Sequence, residues 1–161
     1  MVQMELLGVR LELPANAPVV LLREHGGGRV LPIYIGQEEA KAIALALEGV
    51  ATPRPMTHDL MRDLIGALGA KVQRIVLTEL RDSTFFAEVE LGLAGAVHRV
   101  SSRPSDAIAL AVRVNASIFA TDEVLDDAGA PAIEGPPEEQ DQIVDEFRQF
   151  IEHVNPEDFS S

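Results

Sequence analysis

The sequence predicts an α+β fold built from mostly antiparallel strands, with helices packed on the resulting sheet. Strand-like segments occur in two groups of three, and each group is followed by an Ala-rich segment of helical character. Short turns that contain Gly, Pro, Asn or Asp separate the strands, as is typical of hairpins. The pentapeptide Ala-Ile-Ala-Leu-Ala appears in both Ala-rich segments, at residues 42–46 and 107–111. We therefore expect two strand-strand-strand-helix units related by an internal duplication. Small residues that let a helix approach a sheet closely are the alternative reason for the repeat.

The first unit begins with a segment in which apolar and other residues alternate. The alternation predicts a strand whose apolar face consists of Leu7, Val9, Leu11 and Leu13. A turn at residues 14–16 leads into the second strand, and three glycines at residues 26–28 lead into the third. These glycines join two strands and lack the Lys-Ser/Thr ending of a phosphate-binding loop, so they are interpreted as a hairpin. The predicted strands and helix span residues 5–13, 18–23, 30–35 and 37–48.

Between the units, the prolines of residues 51–56 disfavour helix in the residues before them and predict an extended loop. Thr57 then caps a helix that Gly69 ends. The apolar stripe of this helix is predicted to consist of Leu60, Met61, Leu64, Ile65 and Leu68. Three strands, a helix, a short strand and one helical turn follow, at residues 71–80, 84–91, 96–100, 104–114, 117–120 and 122–127.

The last part of the chain differs from the rest in composition. Residues 128–137 contain three prolines and two glycines and are predicted to be a linker. Residues 138–154 are predicted to form an amphipathic helix with the apolar face Ile143, Val144, Phe147, Phe150, Ile151 and Val154. We therefore expect a domain at residues 1–129 and, at residues 130–161, a linker followed by an acidic helix whose partner is unknown.

The net charge of −13 is concentrated near the C-terminus. Residues 122–161 hold 13 acids and one base, whereas residues 1–121 hold 13 acids and 12 bases. The nearly neutral body therefore permits a nucleic-acid partner, although it has no basic patch. The sequence shows no Cys, no signal-peptide pattern and no apolar run of membrane-spanning length. We expect a cytoplasmic protein without membrane contact.

The helix predicted from residue 104 onward is apolar on every side after its first turn, and such a helix must be buried. Pro104 suits the first turn, with Ser102 or Arg103 as the cap. Asp106 falls in the first turn, where the helix dipole favours an anion. Arg103, Ser105 and Asp106 thus form a polar helix start that is suited to binding an anion. Capping of the helix is the other interpretation of the same residues.

Three motifs resemble the bifunctional nuclease domain family, which is described as acting on both RNA and DNA. The motifs are Leu31-Pro32-Ile33-Tyr34-Ile35-Gly36, Arg54-Pro55-Met56-Thr57-His58-Asp59-Leu60 and Arg103-Pro104-Ser105-Asp106-Ala107-Ile108-Ala109-Leu110-Ala111. They occur in family order, and the resemblance covers roughly residues 4–129. It implies hydrolysis of phosphodiester bonds, with RNA or DNA as the substrate. The family often has Asp two residues before the Arg of the third motif, where this chain has Ser101.

For such a reaction the sequence offers carboxylates, a histidine and arginines near predicted helix starts. The candidate catalytic residues are Asp106, Asp59, His58 and Arg103, and the candidate substrate-binding residues are Arg54, Arg103 and Ser105. Arginine pairs with phosphate through two parallel hydrogen bonds, and carboxylates or histidine transfer protons. The structural alternatives are a solvated or hydrogen-bonded His58, a first-turn acid at Asp59 and a surface ion pair at Arg54.

Divalent metal ions are the only cofactor that the residues indicate, and no organic cofactor is expected. Mg²⁺ and Mn²⁺ bind through one or two carboxylates together with water and substrate phosphate. The candidate ligands are Asp106, Asp59 and Glu38. If a pseudo-twofold axis relates the two units, the starts of both Ala-rich helices would share one cleft. Glu38 and Glu39 would otherwise only complement the dipole of their helix.

A non-catalytic protein-interaction or anion-binding regulatory module is the competing function. It is favoured by Ser101 in place of an acid, by the few clustered carboxylates and by the lack of an aromatic platform for single strands. Tyr34 is the only Tyr, and there is no Trp. An open sheet edge and much aliphatic surface also predict a homodimer that forms through the body of the protein.

Overall fold

The computed structural model describes residues 1–132, which form eight strands and four helices. In chain order the elements are β1 (Val2–Glu12), β2 (Ala17–Glu24), β3 (Arg29–Tyr34), α1 (Gln37–Leu47), α2 (Thr57–Ala67), β4 (Lys71–Arg81), β5 (Thr84–Leu93), β6 (Ala96–Ser102), α3 (Pro104–Val114), β7 (Ser117–Ala120), α4 (Asp122–Ala128) and β8 (Ala130–Pro131). The helix predicted at residues 138–154 lies outside the described residues. None of the four helices combines the length and the hydropathy needed to cross a bilayer.

All eight strands belong to one sheet, with the order β6-β5-β4-β7-β1-β2-β3-β8. Strands β1 to β3 form one antiparallel meander followed by α1, and β4 to β6 form a second meander followed by α3. The two expected strand-strand-strand-helix units are therefore present. Strand β7 joins them, running antiparallel to β1 and parallel to β4. The sheet is thus mixed, and β1 and β4 run in opposite directions, as a pseudo-twofold axis through the sheet requires.

Helix α3 lies at the centre of the hydrophobic core. The side chains from Ala107 to Ala111 are each at most 1% exposed, because α3 packs against strands β4, β5 and β7 and against helices α1 and α2. Pro104 is its first residue and Arg103 its N-cap, while Asn115 ends it in a left-handed conformation with φ of +56°. The burial predicted for an all-apolar helix is confirmed.

The predicted apolar face of β1 is wrong at two positions. Leu7 is 42% and Leu13 77% exposed, whereas Met4 and Val9 are buried. The register of β1 against β2 shifts between Leu6 and Gly8, which is the signature of a β-bulge. An extra residue in one strand exchanges the two faces beyond it, so the core-facing residues alternate differently on each side of the bulge.

The predicted stripe of α2 is also partly wrong. Leu60, Leu64 and Leu68 are 50%, 54% and 77% exposed, while Met61 and Ile65 pack against the core. The two sets form adjacent i, i+4 rows on the helix surface, and only one row faces α3. The buried His58 belongs to the inward side.

Three residues of the predicted linker, Ala128, Ala130 and Pro131, belong to a helix and a strand. Helix α4 extends to Ala128, and Ala130 and Pro131 form β8, which pairs with Val30 and Arg29 of β3. Within the described residues, β8 thus covers part of the β3 edge of the sheet.

Candidate functional site

The N-termini of α1 and α3 meet at one place on the surface. Helix α1 is capped by Gly36 and helix α3 by Arg103, and both cap residues have extended backbone. The Arg103 Nη1 atom donates a hydrogen bond to Oε1 of Glu39 in the first turn of α1, at 3.2 Å. The expectation that both helix starts share one cleft is confirmed, although Glu39 rather than Glu38 faces it.

A cavity of about 280 Å³ lies beside these helix starts, and we call it the inter-unit cleft. The end of β3 and the start of α1 line it from the first unit, including Tyr34. The second unit contributes Ser83 to Phe85 at the β4–β5 turn, and Arg103 and Ser105 at the start of α3. Each unit therefore supplies one wall, so the inter-unit cleft exists only where the two are assembled.

Arg103 forms the charged centre of the cleft. Its Nε atom donates to Asp106 Oδ2 at 2.8 Å, and its Nη2 atom donates to Asp106 Oδ1 at 3.2 Å. The side chain is nevertheless 63% exposed, so its guanidinium remains open to solvent and to a ligand. The hydrogen bonds with Asp106 and Glu39 raise the pKa of Arg103, and the group is cationic at any physiological pH.

His58 approaches the same carboxylate from α2. The distance between His58 Nε2 and Asp106 Oδ1 is 2.8 Å, and His58 is only 7% exposed. Burial by itself raises the pKa of Asp106, but the hydrogen bonds from Arg103 and His58 outweigh it and lower that pKa below its usual range. Asp106 is therefore an anion that orients both a histidine and an arginine.

Asp59 lies beside His58 in sequence but has a different role. Its Oδ1 accepts a hydrogen bond from Arg113 Nε at 2.7 Å, and its Oδ2 accepts one from the Met56 backbone N–H at 3.0 Å. Burial raises the pKa of Asp59, but these two partners lower it overall. Because successive helix residues point in different directions, Asp59 supports the helix start while His58 points to Asp106.

Arg113 was not recognised as important from the sequence. Its side chain is 5% exposed and donates to the carbonyl oxygens of Ala109 at 2.8 Å and Ala42 at 3.0 Å, as well as to Asp59. It therefore links α1, α2 and α3. The available signal was a lone arginine in the last turn of an otherwise apolar helix.

The remaining predicted site residues, Ser105, Arg54 and Glu38, form no hydrogen bonds with one another in the part of the chain that the structure describes. Ser105 is 6% exposed and lines the cleft, and no hydrogen bond of its hydroxyl is formed within residues 1–132. Arg54 is exposed in the loop before α2, and the described residues offer its guanidinium no hydrogen bond. Glu38 is 76% exposed and bonds Lys41 at 3.0 Å.

The three candidate metal ligands, Asp106, Asp59 and Glu38, thus each have a different partner. No group of three or more His, Asp or Glu side chains suited to a metal ion occurs in the described part of the chain. The use of Mg²⁺ or Mn²⁺ stays a prediction.

Residues 20–132 match the model of the family described as "Bifunctional nuclease domain". An uncharacterised protein of Mycobacterium tuberculosis is 42% identical over 164 residues, which cover 99% of this chain and 98% of that protein. "Bifunctional nuclease 2" of Arabidopsis thaliana is 32% identical over 66% of this chain and 34% of its own length. "Bifunctional nuclease" of Oryza minuta is 25% identical over 92% of this chain and 46% of its own length. The chain therefore spans between a third and a half of these two plant proteins.

Proposed function

This chain belongs to the bifunctional nuclease domain family, and from that membership we propose that it hydrolyses phosphodiester bonds in RNA and DNA. The observation that carries the proposal is the exposed guanidinium of Arg103 between two helix N-termini. A helix N-terminus favours anions, and a guanidinium binds phosphate oxygens through two parallel hydrogen bonds. We assign substrate binding to Arg103 and Ser105, with Arg54 on the loop before α2 as a further phosphate contact.

His58 and Asp106 are the proposed proton-transfer pair. A histidine held by a carboxylate is a common arrangement for general acid–base catalysis, because the carboxylate fixes the ring and stabilises its protonated form. The distance of 2.8 Å between His58 Nε2 and Asp106 Oδ1 fits this role. Asp59 acts as a positioning residue, because it holds the start of α2 through Arg113.

A divalent metal ion would neutralise the phosphate and activate water, which is the chemistry expected of Mg²⁺ or Mn²⁺ in nucleases. The residues present do not favour a site at the cleft, since Arg103 already bridges Asp106 and Glu39, the two carboxylates that such an ion would share. The metal requirement is therefore tested directly, by comparing cleavage with added Mg²⁺ or Mn²⁺ and with EDTA.

The decisive experiment measures cleavage of single-stranded RNA and DNA by highly purified protein and by two arginine variants. We expect Arg103→Ala to raise KM by at least about tenfold, which corresponds to about 1.4 kcal/mol of lost phosphate binding, with little change in Tm. Arg99→Ala is the matched control: Arg99 on β6 is 60% exposed and bonds Glu90 on β5, so its removal should leave cleavage unchanged.

A Tm several degrees lower for Arg103→Ala, with unchanged activity per folded molecule, would show that Arg103 is structural. Cleavage that survives Asp106→Ala in full would remove Asp106 and His58 from the proposed mechanism.

The second candidate function is a non-catalytic anion-binding or protein-interaction module. It is favoured by the guanidinium of Arg103, which is already neutralised by two carboxylates, and by Ser101, an exposed residue of β6 where the family often has Asp. Binding of oligonucleotides without any cleavage by the purified protein, with or without metal, would favour this function.

A further inference from the structure

We propose that the inter-unit cleft binds one unpaired nucleotide, with the phosphate on Arg103 and the base against the ring of Tyr34. The protein would accordingly select single-stranded over double-stranded nucleic acid. This inference rests on the proposed function only in taking nucleic acid as the ligand, and it concerns binding rather than cleavage.

The aromatic side of the cleft is formed by Tyr34. Its ring is 62% exposed, which is high for a large aromatic side chain, while its backbone is fixed in β3 opposite Val19. Its hydroxyl donates a hydrogen bond to Glu12 Oε2 on β1. The side chain is thus held at both ends, and Tyr34 lines the cleft, so its exposed ring offers a surface on which a base can stack.

The polar side of the cleft lies at the start of α3. Arg103 supplies the cation, and the neighbouring Ser105, which is 6% exposed, also lines the cleft. A serine hydroxyl both donates and accepts hydrogen bonds, so it can bond a phosphate oxygen. Ser105 therefore adds a second polar group to the anion-binding end of the cleft beside Arg103.

The size of the cleft limits what it can accept. Its volume of about 280 Å³ lies just below the range of about 300–1,000 Å³ that is usual for small-ligand pockets, so at most one nucleotide unit fits and a stacked pair does not. A base inside a duplex cannot enter such a pocket without leaving its stack. An unpaired nucleotide does not have that cost.

The charge of the protein supports the same selection. Residues 1–121, which carry the cleft, hold 13 acids and 12 bases, so this nearly neutral body gains little from a duplex as a dense array of phosphates. Its affinity must come from stacking and from few phosphate contacts. We therefore expect a shallow salt dependence, with a slope of log K against log [salt] of about −0.7 to −1.4, as one or two phosphates on a single strand give.

The sequence provides its own probe for the test. Tyr34 is the only tyrosine and there is no tryptophan, so the intrinsic fluorescence of the whole chain reports on the cleft. The titrants are a thymidine pentanucleotide with phosphorothioate linkages and a blunt duplex hairpin that contains the same linkages. We expect saturable quenching by the pentanucleotide, corrected with free N-acetyltyrosinamide, and at least about tenfold weaker binding of the hairpin by calorimetry.

Two variants separate the contribution of the aromatic ring to binding from that of the hydroxyl. Tyr34→Phe and Tyr34→Leu both lose the hydrogen bond to Glu12, but only the phenylalanine keeps a stacking surface. Calorimetry should show pentanucleotide affinity within about threefold of the parent protein for Tyr34→Phe and a loss of about 5- to 150-fold for Tyr34→Leu, the range that base–aromatic stacking gives.

Equal affinity for the pentanucleotide and the hairpin, or full affinity in Tyr34→Leu, would overturn the inference even if the protein cleaves nucleic acid. Tyr34-dependent binding of the single strand without cleavage would uphold it and would overturn the nuclease function instead.

Discussion

Asp106 is the residue at which the charges of the cleft meet. It accepts hydrogen bonds from Arg103 and lies 2.8 Å from His58 Nε2. Its pKa is lowered relative to the unfolded chain, where an aspartate titrates near pH 3.9. The unfolded state therefore binds more protons than the folded state at acidic pH. The ionised carboxylate stabilises the fold fully above about pH 4, and this contribution is lost as pH falls through the lower, folded pKa.

We accordingly expect Asp106→Asn to lower the free energy of unfolding by about 1.5–3 kcal/mol at pH 7, the value of hydrogen bonds to a charged group. The difference from the parent protein should shrink below about pH 4. Urea unfolding of both proteins between pH 2.5 and 7 measures this difference in the free energy of unfolding. Asp63→Asn serves as the control, because Asp63 forms an exposed pair with Arg62 and should change stability by less than about 1 kcal/mol at every pH. A constant difference across the whole range would contradict the assignment.

Several of these residues could be placed from the sequence, and others could not. Pro104 identifies a helix start, so the positions of Arg103 and Asp106 follow from local rules. The contact of His58 with Asp106 depends on which face of α2 turns inward, and no local rule decides that. Tyr34 and Arg113 act through partners far away in sequence, Glu12 and Ala42, and such partners become visible only in the fold.

The β4–β5 hairpin is the element that forms the rim of the cleft in the second unit. Its two-residue turn, Asp82-Ser83, has φ values of +50° and +62°. Turns of this kind match the twist of the strands and normally contain glycine at the second position. Serine there carries the steric cost of a left-handed backbone, about 1–2 kcal/mol.

Replacing Ser83 by glycine should therefore raise the free energy of unfolding by about 0.5–1 kcal/mol, after the greater entropy of glycine in the unfolded chain is subtracted. Thermal unfolding should show a Tm higher by about 1–4 °C. Ser101→Gly is the matched control in β6, where φ is ordinary, and should lower stability by about 0.5–1 kcal/mol. A lower Tm for Ser83→Gly would mean that the Ser83 hydroxyl makes a contact that outweighs the strain.

At the scale of elements, the existence and order of strands and helices follow well from periodicity and turn residues. The same signals predict less well which face of each strand or helix is buried. The bulge at Gly8 exchanges the faces of β1, and α2 carries two adjacent apolar rows, Leu60 with Leu64 and Met61 with Ile65. Hydrophobicity alone cannot choose between adjacent rows, because the choice depends on where α3 lies. The sequence also could not predict that the sheet is mixed. The parallel pairing of β7 with β4 depends on how segments far apart in the chain come together.

For the whole molecule, β6 is the exposed edge of the sheet as described to residue 132. Val97 is 48% and Val100 49% exposed, and no strand pairs with the outer side of β6 in that part of the chain. An uncovered edge of seven residues without proline is a template for pairing with another strand. The predicted homodimer is therefore expected to form there.

Deleting residues 135–161 should leave a folded dimer, as measured by sedimentation. In the full chain, Val97→Lys with Val100→Lys should give folded monomers, because charged side chains prevent edge pairing. The matched control is Leu60→Lys with Leu64→Lys, which alters the exposed row of α2 and should leave the dimer intact. Monomers after the deletion would place the interface on the C-terminal segment instead. Monomers in the control would place it on α2.

The position of β7 between the two units has a consequence for the order in which the protein is made. Strand β1 leaves the ribosome well before its partner on one side, because Met4 pairs with Ile118, 114 residues further along the chain. At a translation rate of about 5–20 residues per second, this interval lasts about 6–23 s. Throughout that time the nascent first unit exposes an unpaired strand edge and an apolar face that α3 has not yet filled. We therefore expect translation rate and chaperone access over this interval to affect the yield of folded protein.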